Sequence, residues 1–430
     1  MKIKLIFIGL LVTITELCMA QVCGCTDSLA LNYDPSATVN DGGCLYAPTT
    51  ITTTDIGQLD TALNNTSSLF YWQHNYWTFN DRYDNCLYCL DSTNATILET
   101  LCIDEIDNHD IEEIAQDSLY LYFGDVGNNV GTRHDLHILR VKKESLLNQI
   151  IEMDTIWFSY EDQSDFSYQL ESTDFDCEAF IVGRDSIYLF TKQWASGQTS
   201  FYGLPKTPGT YIAHRHESYD VQGLITGASY LPDYQLLVLC GYNFNGGSYM
   251  SALRPFIFLL YDFQGEDFFS GNKRRLDFPT YTKSQIEAIA TSNAMDYFIS
   301  NEHFSTSIGG MVINLTPKLH QLDLRDYLLP YLSRFSTSGN QNTIQNPHRQ
   351  ADDIHIYPNP ASDKLYIHCP QTLSGADYEI FNLNGQLIME GILKDNIIYL
   401  NNRNLAAGKY ILVLRQNEEM KTFSFIKKEE

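Results

Sequence analysis

Three glutamates recur at comparable places in the middle of the chain. They are Glu113 in Glu113-Ile-Ala-Gln-Asp-Ser-Leu-Tyr-Leu-Tyr-Phe123, Glu178 in Glu178-Ala-Phe-Ile-Val-Gly-Arg-Asp-Ser-Ile-Tyr-Leu-Phe190 and Glu287 in Glu287-Ala-Ile-Ala-Thr-Ser-Asn-Ala-Met-Asp-Tyr-Phe-Ile299. Each opens a short apolar strand. Carboxylates that converge raise one another's pKa unless a cation or an arginine neutralises them. Hard oxygen ligands supplied by several loops suit calcium, and Asp125, Asp110, Glu112, Asn128, Asp176 and Glu302 lie near the same pattern. Glu113, Glu178, Glu287 and Asp125 are therefore the candidate metal ligands. The competing reading is mechanical: each Glu accepts backbone N–H bonds and pins neighbouring units together. A calcium-bound water among the carboxylates would make a hydrolase, yet the only cations near enough in sequence to hold a phosphate are Arg133 and Arg184.

Other chemistries find less support. No Gly-x-Ser-x-Gly elbow and no P-loop occurs. His214-Arg-His216 has strand spacing but no third zinc ligand beside it. Gly124-Asp-Val-Gly127 is a turn after a strand, not a dinucleotide fingerprint. The formal charge of −25 argues against nucleic acid, whose phosphates need Lys and Arg. Tyr71-Trp-Gln-His-Asn-Tyr-Trp77 and Tyr242-Asn-Phe-Asn-Gly-Gly-Ser-Tyr249 mix rings with amides. Exposed, they would stack on sugars and make a glycan site; the alternative, favoured for Trp72 and Trp77, is packing between sheets.

The elements that must position these groups come from a repeat. The three glutamate stretches and Gly227-Ala-Ser-Tyr-Leu-Pro-Asp-Tyr-Gln-Leu-Leu-Val-Leu239 each read as strand, polar turn, strand, with starts at 113, 178, 227 and 287. A weaker start lies at Ser68-Leu-Phe-Tyr71. A period near fifty with four strands per unit is the signature of a β-propeller. Residues 55–340 then hold about six blades, with Leu315 to Leu329 supplying closing strands and Lys143 to Glu152 a short helix. The stretches Trp77-Thr-Phe-Asn-Asp81, His109-Asp-Ile-Glu-Glu-Ile-Ala115, Tyr122-Phe-Gly-Asp-Val-Gly-Asn-Asn129 and Phe175-Asp-Cys-Glu-Ala179 resemble a family of secreted bacterial propellers similar in outline to NHL-repeat and esterase-like phytase propellers. The sequence departs from that family's pattern at Ile111 and Asn128.

The two ends of the chain speak of export. Residues 1–20 read as a secretory signal: Lys2 and Lys4, an apolar run from Leu5 to Ile14, then Cys18-Met-Ala20. No other stretch is long and apolar enough to span a membrane. Export puts the remaining cysteines in an oxidising setting. Folding a hairpin about Thr93-Asn94 sets Cys86 opposite Cys102, the expected disulfide, with Cys89 facing the other side. Residues 21–47 resemble the short "GCTD…NYDPxA…DGxC" repeats of Bacteroidota surface proteins, a likeness that implies a Cys25–Cys44 disulfide. Asp27, Asn32, Asp34 and Asp41 there either cap turns, the favoured reading, or offer oxygens to calcium. Residues 48–54 form a threonine-rich linker.

The last eighty residues show about seven short strands with turn signals, which read as a small β-sandwich. Tyr357-Pro-Asn-Pro-Ala361, with Pro358 and Pro360 around Asn359, is followed by Asp363-Lys-Leu365, Tyr378-x-Ile-Phe-Asn-Leu-Asn-Gly385, Leu405-x-x-Gly408-x-Tyr410 and the basic end Phe425-Ile-Lys427-Lys428. This series resembles the C-terminal sorting domain of type IX secretion substrates. The resemblance implies handling by the type IX machinery and its sorting peptidase. It covers residues 353–430, after a linker at 341–352.

The expected whole is all-β, a β-propeller of about six blades followed by a small Ig-like β-sandwich sorting domain. Its expected role is that of an exported, surface or secreted binding module for a glycan or protein. The alternative is a calcium-dependent hydrolase.

Overall fold

The computed structural model describes residues 21–243, 253–308 and 311–336, and, further on, 355–357, 361, 364–368, 376–382, 386–394, 397–400, 405–416 and 419–428. The signal at 1–20, the 341–352 linker, Phe244 to Tyr249, Pro358, Asn359, Pro360 and Gly385 lie outside these residues. The chain divides into two compact units, Met1–Asn340 and Gln341–Glu430.

The first unit opens on two short parallel strands, β1 (Cys23–Gly24) and β2 (Val39–Asn40). They are stapled by a Cys25–Cys44 disulfide. The acidic residues around them cap turns: Asp27, Asp34 and Asp41 each accept the backbone N–H two residues on. So short a segment cannot bury a core of its own, and it leans on the larger body. Asp27 accepts from Tyr46 and Tyr261, and Asn40 and Thr26 donate to Asp262.

After β3 (Thr54–Gln58) come four-stranded antiparallel meanders. The first is β4 (Thr66–Trp72), β5 (Asn75–Asn80), β6 (Cys86–Leu90) and β7 (Ile97–Cys102), with Cys86 bonded to Cys102 across its outer pair. The second is β8 (Ile111–Gln116), β9 (Tyr120–Asp125), β10 (His137–Lys142) and β11 (Met153–Tyr160), with the short helix α1 (Lys143–Asn148) before its last strand. The third is β12 (Asp176–Val182), β13 (Ser186–Lys192), β14 (Thr199–Pro205) and β15 (Gly209–Tyr219). The outer strands β11 and β15 pair in parallel, so these two meanders form one eight-stranded, nearly closed, barrel-like sheet. The fourth is β16 (Leu224–Leu231), β17 (Leu236–Asn243), β18 (Arg254–Tyr261) and β19 (Asn272–Asp277).

The last meander is β20 (Ile286–Thr291) and β21 (Asp296–Asn301), then, past the hairpin β22 (Phe304–Ile308) and β23 (Met311–Leu315), β24 (Lys318–Asp323). Its fourth strand is β3, supplied by the N-terminal side of the body, with Leu319 opposite Gly57. The first strands pack in a ring, β4 against β8, β8 against β12, β12 against β16, β16 against β20 and β20 back against β4. Middle strands such as β17, Leu-Leu-Val-Leu-Cys, are buried on both faces because a neighbouring sheet covers each side. This is why they read as continuous apolar runs rather than alternating ones.

About six four-stranded repeats were expected; the described residues hold five. The surplus length goes into α1, the β22–β23 hairpin and a helix, α2 (Arg325–Ser336), where closing strands were expected past Asp323. Leu324, Leu328, Tyr331 and Leu332 recur at helical spacing and are all buried.

The second unit is built of β25 (His355–Tyr357), β26 (Lys364–His368), β27 (Asp377–Asn382), β28 (Leu387–Ile392), β29 (Ile397–Tyr399), β30 (Gly408–Gln416) and β31 (Glu419–Lys427). They form a three-stranded and a four-stranded sheet. Leu365, Ile367 and Ile398 of the first sheet join Ile380, Leu412 and Phe425 of the second in one apolar cluster.

Candidate functional site

Each of the five ring strands carries a β-bulge near its start, and the bulge decides which side chains are equivalent. The register slips at Ser67 in β4, Glu112 in β8, Glu178 in β12, Thr226 in β16 and Glu287 in β20. The counterpart of Glu178 and Glu287 is therefore Glu112, not Glu113 as the sequence alignment has it. Adjacent glutamates offer two alignments one residue apart, and only the extra bulge residue, which re-aims the side chain, selects between them. Glu113 falls instead in the row of Ser68, Ala179, Gly227 and Ala288. That row is tight: a Cβ on Gly227 would stand 2.7 Å from the Glu287 carbonyl oxygen.

Where the bulge residue has a hydroxyl, it joins neighbouring sheets. Ser67 Oγ donates to the Ile111 carbonyl at 2.8 Å, and Thr226 Oγ1 donates to the Ile286 carbonyl at 2.5 Å. Glu178 takes another partner. Lys192, from the end of β13, places Nζ 2.5 Å from both carboxylate oxygens. The pair is almost wholly buried, side chains 4% and 6% exposed. The ammonium also lies over the Trp194 and Tyr242 rings, at 4.7 and 5.2 Å from their centroids.

The surrounding acids have partners of their own. Asp110 pairs with Arg82 at 2.5 Å and Asp125 with Arg133 at 2.6 Å. Asp176 accepts from the Asn128 backbone at 2.6 Å and from Trp194 Nε1 at 2.8 Å. Glu112 and Glu287 are likewise more than nine-tenths buried. Asp110 Oδ2 and Glu112 Oε1 crowd the point that a Cβ on Gly127 would occupy, at 2.3 and 2.6 Å.

Carboxyl groups outnumber cations in this chamber, and titration follows. Burial pushes Glu178 up to about 8 against the pull of Lys192. Burial and then Asp81 push Glu302 up to about 7. Burial lifts Asp110 to about 6 although Arg82 draws it down. Burial holds Glu112 well above the carboxylate range, helped by the charges of Glu178 and Asp110. Burial does the same to Glu287, with Lys192 pulling the other way. Burial draws Lys192 down, but Glu178 and the other anions more than reverse this.

Glu113 stands apart from the chamber. One carboxylate oxygen accepts the Ile114 N–H at 3.0 Å; the other reaches past β12 to the Ala228 N–H of β16, also at 3.0 Å. Of the four sequence candidates, the structure brings Glu178 and Glu287 around Lys192, while Glu113 and Asp125 serve elsewhere. Among the described residues no group of three His, Cys, Asp or Glu side chains is arranged to hold a metal ion. Sequence reasoning did not assign Lys192 or Arg82; their signal was faint, a lone cation at a strand end or turn within a very acidic chain.

Beyond Ile114 and Ala228 the ring surrounds a half-open pocket of about 320 Å³, to which all five ring strands contribute. It is lined by uncharged residues, among them Phe70, Tyr71, Gln116, Tyr230 and Ser292. Arg184 is exposed, past the far end of β12 from Glu178. Trp72 and Trp77 are buried, their rings 5.4 Å apart within a sheet-to-sheet cluster. His214 is exposed and bonds Glu161.

In the second unit Tyr357 closes β25 and pairs with Tyr366. Gly408 opens β30 opposite Lys427. Lys427 is buried and bridges to Ala361, and the Lys428 N–H donates to the Ala361 carbonyl at 2.8 Å. The basic end is thus stitched into the sheet.

Residues 355–428 match the family model of the secretion system C-terminal sorting domain. The chain is accordingly an exported substrate of the type IX system, bound for the cell surface or the extracellular medium. No helix among the described residues is long and apolar enough to cross a membrane. No curated protein matches the chain in sequence. Similar solved structures include PorZ, a surface component of the type IX secretion system of Porphyromonas gingivalis, at 11% identity over 85% of this chain and 45% of that one, TM-score 0.28. Glutaminyl cyclase of Myxococcus xanthus is similar at 11% identity over 65% and 99%, TM-score 0.37. The RRP9 WD40 repeats are similar at 10% identity over 64% and 100%, TM-score 0.32. The chain spans less than half the length of PorZ.

Proposed function

We propose that the five meanders are blades of a five-bladed β-propeller and that the exported chain is a non-catalytic binding module for a glycan or protein. The ring of first strands and the completion of the last sheet by β3 support the propeller, since a circular fold gains by tying its two ends together. The observation that carries the binding reading is the Lys192–Glu178 pair. A buried ammonium held by the Glu178 carboxylate and two rings fills the place a catalytic cation would take.

The calcium-dependent hydrolase draws support from Glu112 and Glu287, whose carboxyl groups have no hydrogen-bond partner among the described residues. One experiment separates the two. The secreted chain is tested on phosphate and carboxylic esters, and melted, in millimolar calcium and in EDTA. The binding reading expects no turnover and an unmoved Tm, whereas a ligand at about a hundred times its Kd adds roughly 2.7 kcal/mol. Calcium-dependent turnover that Glu287→Gln abolishes would sink it.

A further inference from the structure

We propose that the inward-facing amides of the ring form a site for a small carboxylate, which Glu113 fills as an intramolecular ligand. Ile114 and Ala228 stand in the same row, each one residue beyond the slip in its ladder. Both turn an N–H toward the centre of the ring rather than toward the partner strand, and both give it to Glu113. Successive residues of a strand alternate the edge to which they donate, so Leu69, Phe180 and Ile289, the counterparts in the other three strands, point their N–H groups the same way. The result is a row of converging backbone donors, the arrangement that binds anions without any cationic side chain.

The character of Glu113 fits an occupant of such a site. It is 2% exposed; burial pushes its carboxyl well above the carboxylate range, the two N–H bonds draw it back down, and no lysine, arginine or histidine is among the influences. A buried carboxyl so placed is costly unless its acceptors are used, and here both oxygens are. Its counterparts, Ser68, Ala179, Gly227 and Ala288, are small, which leaves the centre to this one side chain. Ile114 and Ala228 also line the 320 Å³ pocket, so a small solute has a route to the amides once the glutamate is shortened.

The test is chemical rescue in the full exported chain. Glu113→Ala is melted in sodium formate and in sodium chloride at equal ionic strength, up to about a hundred times a millimolar dissociation constant. The expected result is a lowered Tm that formate raises saturably, in the variant and not in the wild type. The Ile114 and Ala228 amide resonances move together along the titration. If Glu113→Ala does not fold in chloride, its refolding yield in formate is the readout, and a gain supports the site. Glu113→Gln is the second variant. It replaces one acceptor oxygen by an NH₂ facing an N–H, and its Tm falls. Equal response of wild type and Glu113→Ala to formate, no response of the variant, or a Glu113→Gln Tm equal to wild type each overturns the proposal.

Discussion

Replacing Lys192 by methionine keeps most of the side chain's volume and its contact with Trp194 and Tyr242 but removes the charge. The two carboxylate oxygens of Glu178, each 2.5 Å from Nζ, then lose their counterion in a site where both side chains are nearly sealed from water. Stripping one partner from such a pair costs about 3–5 kcal/mol, because the survivor is left buried and uncompensated. The loss of the ammonium over two rings adds about 1–2 kcal/mol more. The cost depends on pH in a definite direction. At pH 5.5 the buried Glu178 takes up a proton and the penalty shrinks; at pH 9 the carboxyl is pressed to ionise and the penalty is full. Lys192→Met/Glu178→Gln removes both charges and recovers most of the loss. The assay is urea unfolding of the exported chain at both pH values, read as a double-mutant cycle. A single variant as stable as wild type at pH 9, or a double variant no better than the single, would refute the account of this pair as the centre of the chamber.

Four further outcomes follow from the geometry. Asp110, Glu302 and Glu178 have folded pKa values raised to about 6, 7 and 8 by burial. Their stabilisation is complete below the ordinary carboxylate range, near pH 4, and is lost progressively as pH climbs from there to about 6, 7 and 8 respectively, so Tm falls between about pH 4 and 8. Glu302→Gln flattens the fall; an unchanged slope would contradict the assignment. Ser67→Ala leaves the buried Ile111 carbonyl without its donor and costs about 1–3 kcal/mol, measurable by denaturant unfolding. Replacing Cys86 and Cys102 by alanine opens a loop with a sequence separation of 16, and the chain-entropy argument sets the loss near 3 kcal/mol. Deleting residues 341–430 removes the sorting domain, and the truncated chain accumulates in the periplasm, as fractionation of the producing cells would show.

Much of the protein's address and class could be read directly. The Tyr357-Pro-Asn-Pro series and the basic end match a sorting domain because such domains are recognised through local motifs. The strand-turn-strand repeats between residues 113 and 299 announce an all-β body, since period-two patterning and turn residues act over a few residues. Cys86 and Cys102 could be paired because a hairpin fixes which positions face each other.

The tertiary structure decided the rest. The number of meanders depended on where surplus length was spent, and a helix at Arg325–Ser336 took the place of expected strands. The identity of the equivalent glutamates turned on a bulge at Glu112, one residue of register that no alignment of the repeats contains. Partners came from other strands: Lys192 reaches Glu178 across one hairpin, and Ala228 meets Glu113 from two meanders on, over a separation of 115 residues. Residue types announce which groups need a partner. Which partner each one gets depends on register within a hairpin, as for Lys192, and on closure of the ring, which brings distant strand edges face to face, as for Ala228.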